Sequence, residues 1–247
     1  MELYEQYNFN DLNEEALSAE IAGRMAEVKA RYEAVKPEKV EDCKVILNKF
    51  ELSGMFARIA SNLNYSTVYS HSNIFSKGDL IQKAPTGDRI SIVGAGEVKG
   101  CSKSSKFDSD GLALGSVQAV ENGKVVNYFG SNRYGQYLGE QPTGDLQCLC
   151  VAAGTAEAAD FETGPYLEVI SMSGLQIDFF NDYIGGEVRL AYYNDGETVK
   201  PVTGISISGK LSEVLNSLQL SKELIVNNGY AGYYGPKKAI LHGMKVF

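Results

Sequence analysis

From about residue 90 the chain changes character: short runs of β-forming residues are cut by glycine, and Asn122-Gly123 and Asp195-Gly196 stand where hairpins should turn. Both dipeptides tolerate the left-handed backbone that tight β-turns demand, which commits this half of the chain to antiparallel sheet. ISIVG, SVQAVENGKVVNYF, LQCLCVAA, YLEVISMSG, LQIDFF and EVRLAYYNDGETVKPV read as strands. LQCLCVAA is apolar at both parities, the mark of a strand covered on both faces. Two helical runs interrupt the sheet. SNRYGQYLG follows the first hairpin, and KLSEVLNSLQL follows the second with Leu211, Val214, Leu215 and Leu218 on one face. GSVQAVENGKVV and GEVRLAYYNDGETV share a Gly-x-Val opening and a turn ending in Gly, which suggests two hairpin-plus-helix repeats, although their internal spacing differs.

The earlier part of the chain is helical. Ile21, Met25, Val28, Tyr32 and Val35 recur in steps of four and three, which predicts a helix from about Asp11 to Lys36. Asp11 with Glu14 resembles a capping box, and Pro37 ends the run. CKVILNKF reads as a short buried strand, and ELSGMFARIASNLN as a second helix with Leu52, Met55, Phe56, Ile59 and Leu63 on one face. Both helices are expected to face the core, and FSKGDLIQKAPTGDR to form a surface loop. The predicted class is α+β: one large, mainly antiparallel sheet with a few packed helices. Its expected division is an N-terminal helix within residues 1–38 and one compact domain over 39–247.

An apolar content of 44% in 247 residues supports a real core. The net charge of −8, with acids scattered along the chain, argues against a nucleic-acid surface, which needs clustered cations to displace counterions from phosphates. The start, MELYEQYNFNDLNEEAL, shows no basic-then-apolar leader, and no window is long and apolar enough to span a bilayer. A soluble, cytoplasmic protein is expected, with Cys43, Cys101, Cys148 and Cys150 reduced and packed as small apolar groups.

FDSDG, residues 107–111, poses a choice between a cation loop and a turn. A calcium loop needs oxygen ligands at alternating positions and a distal bidentate glutamate. Asp108 and Asp110 supply only two, beside Lys103 and Lys106, so the stretch is assigned as the turn entering the first hairpin.

FDSDG, VENGKVVNYFGSNRYGQYLGEQPTGD, the late YYNDGETVKPVTGISISGKLSEVLNSLQ, and TVYSHSNIF further upstream together resemble, over residues 40–245, the C-terminal domain of the TldD/PmbA family. That family was formerly called modulators of DNA gyrase. The resemblance implies peptide-processing metalloproteases and their noncatalytic partners, closest here to the PmbA (TldE) branch, with the family's separate N-terminal domain expected to be absent. In the catalytic branch zinc, the family cofactor, is held by His-Glu-x-x-x-His on the helix corresponding to residues 50–64, plus a late cysteine. No histidine occurs in FELSGMFARIASNLN and no cysteine after Leu211. One register puts Arg58, Ile59 and Leu63 at the motif positions; another puts Phe50, Glu51 and Met55 there. Neither offers imidazole, so no cofactor and no catalytic or metal residue is assigned.

His71 and His242 are far apart in sequence, in apolar or aromatic runs, and read as structural or surface groups. No Gly-x-Ser-x-Gly elbow occurs, and SIVGAGEVKG lacks the third glycine of a dinucleotide loop. Tyr128, Tyr134, Tyr137, Tyr183, Tyr192, Tyr193, Tyr230, Tyr233 and Tyr234 crowd the sheet half and suit either an interface or a trough for an extended peptide. The matched segments nominate His71, Asn73, Thr143, Gly144 and Asp145 as substrate contacts. The functional expectation is a noncatalytic peptide-binding or partner subunit, paired with itself or with a TldD-like subunit carrying His-Glu-x-x-x-His. The alternatives are an active metallopeptidase with an unconventional site, perhaps at His71, or a homodimeric binding protein unrelated to proteolysis.

Overall fold

In the computed structural model, residues 6–40, 42–229 and 232–247 are described. The part of the leader reading that rests on residues 1–5, and Tyr230, lie outside them. The helices are α1 (Glu14–Glu33), α2 (Lys49–Ser61), α3 (Tyr65–Tyr69), α4 (Asn132–Leu138), α5 (Ala158–Glu162) and α6 (Leu211–Ser217). The strands begin with β1 (Lys44–Leu47), β2 (Ile92–Ala95), β3 (Ser116–Glu121), β4 (Lys124–Val125), β5 (Cys148–Val151), β6 (Tyr166–Met172), β7 (Gln176–Asp178) and β8 (Tyr183–Asn194). They continue with β9 (Val199–Val202), β10 (Ile205–Lys210), β11 (Gln219–Leu220), β12 (Leu224–Asn227), β13 (Gly232–Pro236), β14 (Ala239–Leu241) and β15 (Lys245–Val246).

The class is α+β, as expected, with the strands divided between two sheets. The larger runs β11-β14-β1-β6-β8-β10-β15, with β7 and β9 also paired to β8; the smaller runs β12-β13-β5-β2-β3-β4. Pairing is antiparallel except for β1 with β6 and β5 with β13. Helix α2 packs against strands of both sheets. Its sequence explains why: Asn48 caps it, accepting the Phe50 N–H at 3.1 Å, and the four-and-three spacing buries Leu52, Met55, Phe56 and Ile59 completely. Each such side chain contributes roughly 1.5–3 kcal/mol. Phe56 stacks on Tyr233 of β13 with ring centroids 6.4 Å apart.

The first hairpin turns as its sequence requires, with Asn122 at φ 49° and Gly123 at φ 80° between paired Glu121 and Lys124. The second, β8–β9, closes between Asn194 and Val199 around Asp195. These are not equivalent repeats: β3–β4 lies in the smaller sheet and β8–β9 in the larger, and β10 intervenes before α6. Backbone N–H groups of Thr198 and then Glu197, the Thr198 hydroxyl and the Lys200 ammonium hold the Asp195 carboxyl down to about 2. A carboxylate with a depressed folded pKa adds stability above its unfolded value, near 4, and loses it as pH falls toward 2. Carboxylate titration by NMR should therefore give Asp195 a midpoint near 2, and Asp195→Ala should erase the associated loosening of the 195–198 turn; an ordinary midpoint would overturn the assignment.

FDSDG forms a turn. Asp108 Oδ1 accepts the N–H groups of Asp110 and Leu112 at 3.0 and 2.9 Å, Gly111 takes φ 78°, and Phe107 bridges Ala113. The four cysteines are free thiols. Cys101 and Cys148 are buried with sulfurs 3.1 Å apart, and burial pushes the Cys148 thiol up to about 12.

Three expectations need correction. Helix α1 is capped by Asn13, whose Oδ1 accepts the Ala16 N–H at 2.9 Å, and not by Asp11. The helix ends at Glu33, short of the expected Lys36, so Val35 lies beyond it and bridges Val202, and the rest of the stripe is not core-facing: Ile21, Met25 and Tyr32 are exposed, while Arg24 is buried with its guanidinium 4.0 Å from the centre of the Phe50 ring. Periodicity places residues on one side of a helix without saying which side is covered. The stretch 75–89 is not simply a surface loop, because Ile81 and Gln82 are buried within it.

Candidate functional site

The first turns of α2 are tied to the point where β6 bulges, between Val169 and Met172. Asn48 Nδ2 donates to the Ile170 carbonyl at 3.1 Å, and Glu51 Oε1 accepts the Met172 N–H at 3.0 Å. On the opposite flank, Asn227 Nδ2 donates to the Lys49 carbonyl and to Ser53 Oγ. Because Leu52, Met55, Phe56 and Ile59 face inward, residues 51, 54 and 58 must share another face. That face meets the segment leading into β7 across an open groove of about 500 Å³ lined by Glu51, Gly54, Arg58, Leu175, Gln176 and Ile177.

Burial pushes the Glu51 carboxyl above the usual range, partly offset by the Met172 N–H. Arg58 supplies positive charge at the other end of the groove and makes no hydrogen bond to a described side chain. It adds weakly to the field on Asp178, whose carboxyl is held below the usual range first by the Asn181 side chain and backbone and then by Phe180 N–H. Those bonds fix the turn that follows β7, where Phe180 is exposed. Strand β7 pairs with β8 through Gln176–Gly185, Ile177–Ile184 and Asp178–Tyr183, and with no other strand among the described residues. A groove bounded by an unpaired strand edge, with a carboxyl and a guanidinium about two helical turns apart, can take an extended backbone and read its charge.

The five nominated contacts lie elsewhere. His71 is exposed at φ 54° just beyond α3, and Asn73 Nδ2 donates to the Phe75 carbonyl at 2.9 Å. Thr143 Oγ1 accepts the Gly130 N–H at 2.9 Å and donates to the Gly130 carbonyl, while Gly144 bridges Gly130. A Cβ on Gly144 would collide with the Leu114 side chain. Asp145 accepts from Gln147 Nε2 at 2.7 Å and donates its N–H to Asp108 Oδ2 at 3.3 Å. Thr143, Gly144 and Asp145 thus gather beside the FDSDG turn, apart from His71 and Asn73 in contacts, and none of the five lines the groove. His242 Nε2 lies 3.2 Å from Gln219 Oε1.

Sequence reasoning did not bring Arg58 and the β7 edge together in one groove. The available signal was the polar remainder of α2: once its apolar face is assigned, Glu51, Gly54 and Arg58 fall together. Of the tyrosines, Tyr193 and Tyr233 are buried in the core, and three others form a separate surface feature. Tyr69, Tyr134 and Tyr137 surround one another with centroids 5.3 to 6.1 Å apart, and the Arg133 guanidinium sits over two of the rings. Among the described residues no three His, Cys, Asp or Glu side chains converge as metal ligands, and no helix is long and apolar enough to cross a membrane.

A helix braced between two mainly antiparallel sheets, with a groove along its outer face, defines an α+β domain. Residues 40–246 match the family model described as the PmbA/TldA metallopeptidase C-terminal domain, and the chain belongs to that family. Its fold is similar to that of TldE from Thermococcus kodakarensis, with TM-score 0.76 and 17% identity over 93% of this chain and 55% of that one. It is also similar to two proteins described as modulators of DNA gyrase. The Thermotoga maritima structure gives TM-score 0.73 and 15% identity, covering 96% of this chain and 56% of that one. The Bacteroides thetaiotaomicron structure gives TM-score 0.71 and 15% identity, covering 96% and 53%. The chain thus spans about half the length of these structures. No curated protein matches it.

Proposed function

We propose that this chain is a cytoplasmic, noncatalytic subunit of a peptide-processing assembly, holding an extended peptide in the α2–β7 groove for a partner that carries His-Glu-x-x-x-His. The observation that supports this most is the donor set of the groove. It offers one carboxylate, already accepting a backbone N–H, and one guanidinium. A zinc centre of the family type needs imidazole or thiolate donors and an open position for water, and the groove's lining has neither donor. The residues at the expected motif positions do not fit the ion either, since Met55, Ile59 and Leu63 are fully buried apolar groups. No step is therefore routed through a metal. What remains is binding: the β7 edge supplies backbone hydrogen-bond groups, Leu175 and Ile177 supply apolar contact, and Arg58 attracts a peptide carboxylate.

Fluorescence anisotropy with a labelled, disordered decapeptide bearing a free C-terminal carboxylate tests the reading. Binding should survive chelation with EDTA, and Arg58→Glu should weaken it about tenfold or more, equivalent to losing roughly 1.4 kcal/mol of charge-assisted contact. Cleavage should appear only when a His-Glu-x-x-x-His subunit is added. Stoichiometric zinc in the purified chain, lost together with peptidase activity in His71→Ala, would establish the active-enzyme alternative instead.

A further inference from the structure

The smaller sheet holds two thiols in contact. Cys101 and Cys148 are 1% and 2% exposed, and their sulfurs stand 3.1 Å apart although 47 residues separate them along the chain. The surrounding backbone builds that approach. Cys101 sits in a turn fixed from both sides: its N–H donates to the Val98 carbonyl at 3.0 Å, and its carbonyl accepts the Ser104 N–H at 3.1 Å. Opposite Cys148, strand β13 carries Gly232, where a Cβ would collide with the Cys101 sulfur. The absent side chain is the space that this sulfur fills. Ala95 of β2, paired with Cys148 on its other side, closes the cluster with a methyl group.

Burial ordinarily leaves a core thiol inert. A second sulfur in contact changes the outcome, because the pair needs to close by only about 1 Å to reach bonding distance. We propose that Cys101 and Cys148 are a redox modification site, joined in a reversible disulfide when a hydroperoxide oxidises the chain. One sulfur, as thiolate, attacks the peroxide O–O bond and becomes a sulfenic acid while the remaining oxygen leaves as an alcohol or water. The second thiol attacks that sulfur, the S–S bond forms and water departs, so two thiols lose two electrons and two protons to one peroxide. Burial, and then the Cys101 thiol beside it, push the Cys148 thiol up to about 12, so Cys148 rests protonated and closes slowly. Cys150 is not the partner: two residues along β5 it shares the face of Cys148 at roughly 7 Å, beyond disulfide reach. The bond fastens a loop that other segments rest on. The Cys101 carbonyl accepts Asn10 Nδ2 at 2.7 Å, and the Ser102 N–H donates to Asn228 Oδ1 at 2.8 Å. Oxidation thereby ties the anchor of the segment ahead of α1 to the middle of the smaller sheet. None of these residues lines the α2–β7 groove, so the site is separate from the one proposed for peptide.

The reduced full chain, treated with excess hydrogen peroxide and digested without reductant, should yield a cross-linked species joining the peptides of Cys101 and Cys148, which dithiothreitol releases. The oxidised chain should melt about 5 °C or more above the reduced one, because the bond closes a long loop. Cys148→Ser should lose both the cross-link and the shift. A chain carrying Cys43→Ser and Cys150→Ser keeps only the buried pair and should still close, which decides the pairing even where Cys148→Ser fails to fold. Oxidation confined to the half-buried Cys43 and Cys150, a cross-link only between two copies, or recovery of Cys101 and Cys148 as free thiols would overturn the proposal.

Discussion

Replacing Gly154 by alanine is expected to destabilise the protein by about 3 kcal/mol or more, although the change adds one methyl group. Gly154 follows β5 where the 218–221 segment crosses it: its N–H donates to the Ser221 carbonyl at 3.2 Å, and the Ala156 N–H donates to the Leu220 carbonyl at 3.0 Å. A Cβ there would overlap the Leu220 carbonyl oxygen and Cβ and lie 2.5 Å from Asp88 Oδ2. Backbone cannot yield as a flexible side-chain tip can. The Asp88 carboxylate is equally fixed, accepting Leu220 N–H at 2.7 Å, Thr155 Oγ1–H at 2.8 Å and Thr155 N–H at 3.2 Å. Urea titration should show the loss as a lower midpoint at unchanged slope. The matching control is Gly54→Ala in α2, where a Cβ meets nothing within 4 Å and the helix should gain roughly 0.5–1 kcal/mol. If the two variants behave alike, the close approach at Gly154 is not what limits that position.

Gln82→Ala is expected to cost about 3–5 kcal/mol, mostly through groups left unpaired. The side chain is 1% exposed and makes three bonds: Nε2 donates to the Leu215 carbonyl at 2.6 Å and the Asp88 carbonyl at 2.9 Å, and Oε1 accepts the Ile90 N–H at 2.8 Å. Truncation strands two carbonyls and one N–H in a buried place and leaves a void besides. For a chain of this size such a loss lowers the melting temperature by about 10 °C. Gln82→Glu tests the polarity of the arrangement, because a carboxylate would meet two carbonyl oxygens, and it should be no milder than alanine. A shift of only a degree or two for both variants would mean that water or a rearranged loop replaces the amide.

These two positions also show where the sequence stops speaking. The hairpin at Asn122-Gly123, the turn at Asp108 and the buried face of α2 are set by local chemistry or by helical spacing, and each occurs where it was expected. Gln82 lies in a polar, proline- and glycine-bearing stretch that has every local mark of an exposed loop; its burial depends on Leu215 of α6, distant in sequence, as well as on nearby Ile90. The short strands from Leu224 to Val246 carry no long alternating run, and their pairing with β1, β5 and β10 is decided by tertiary contact. The stripe of α1 was legible as a stripe, whereas its direction depended on Arg24 finding the Phe50 ring. The groove was half legible: the polar side of α2 could be drawn from the sequence, but the strand edge opposite it required knowing that β7 and β6 share one side of β8.

The segment between α3 and β2 runs from Ser70 to Ser91 without a helix or strand of its own, and by length alone it invites insertion or cutting. Its amide at Gln82 and its carboxylate at Asp88 instead make it a laced strap joining both sheets' neighbourhoods to α6. A tag, a protease site or a new chain terminus would be tolerated better at Ser109–Asp110, where the turn is exposed and a Cβ on the following Gly111 meets nothing nearby. For anyone rebuilding this scaffold, the shorter loop is the door and the longer one is the hinge pin.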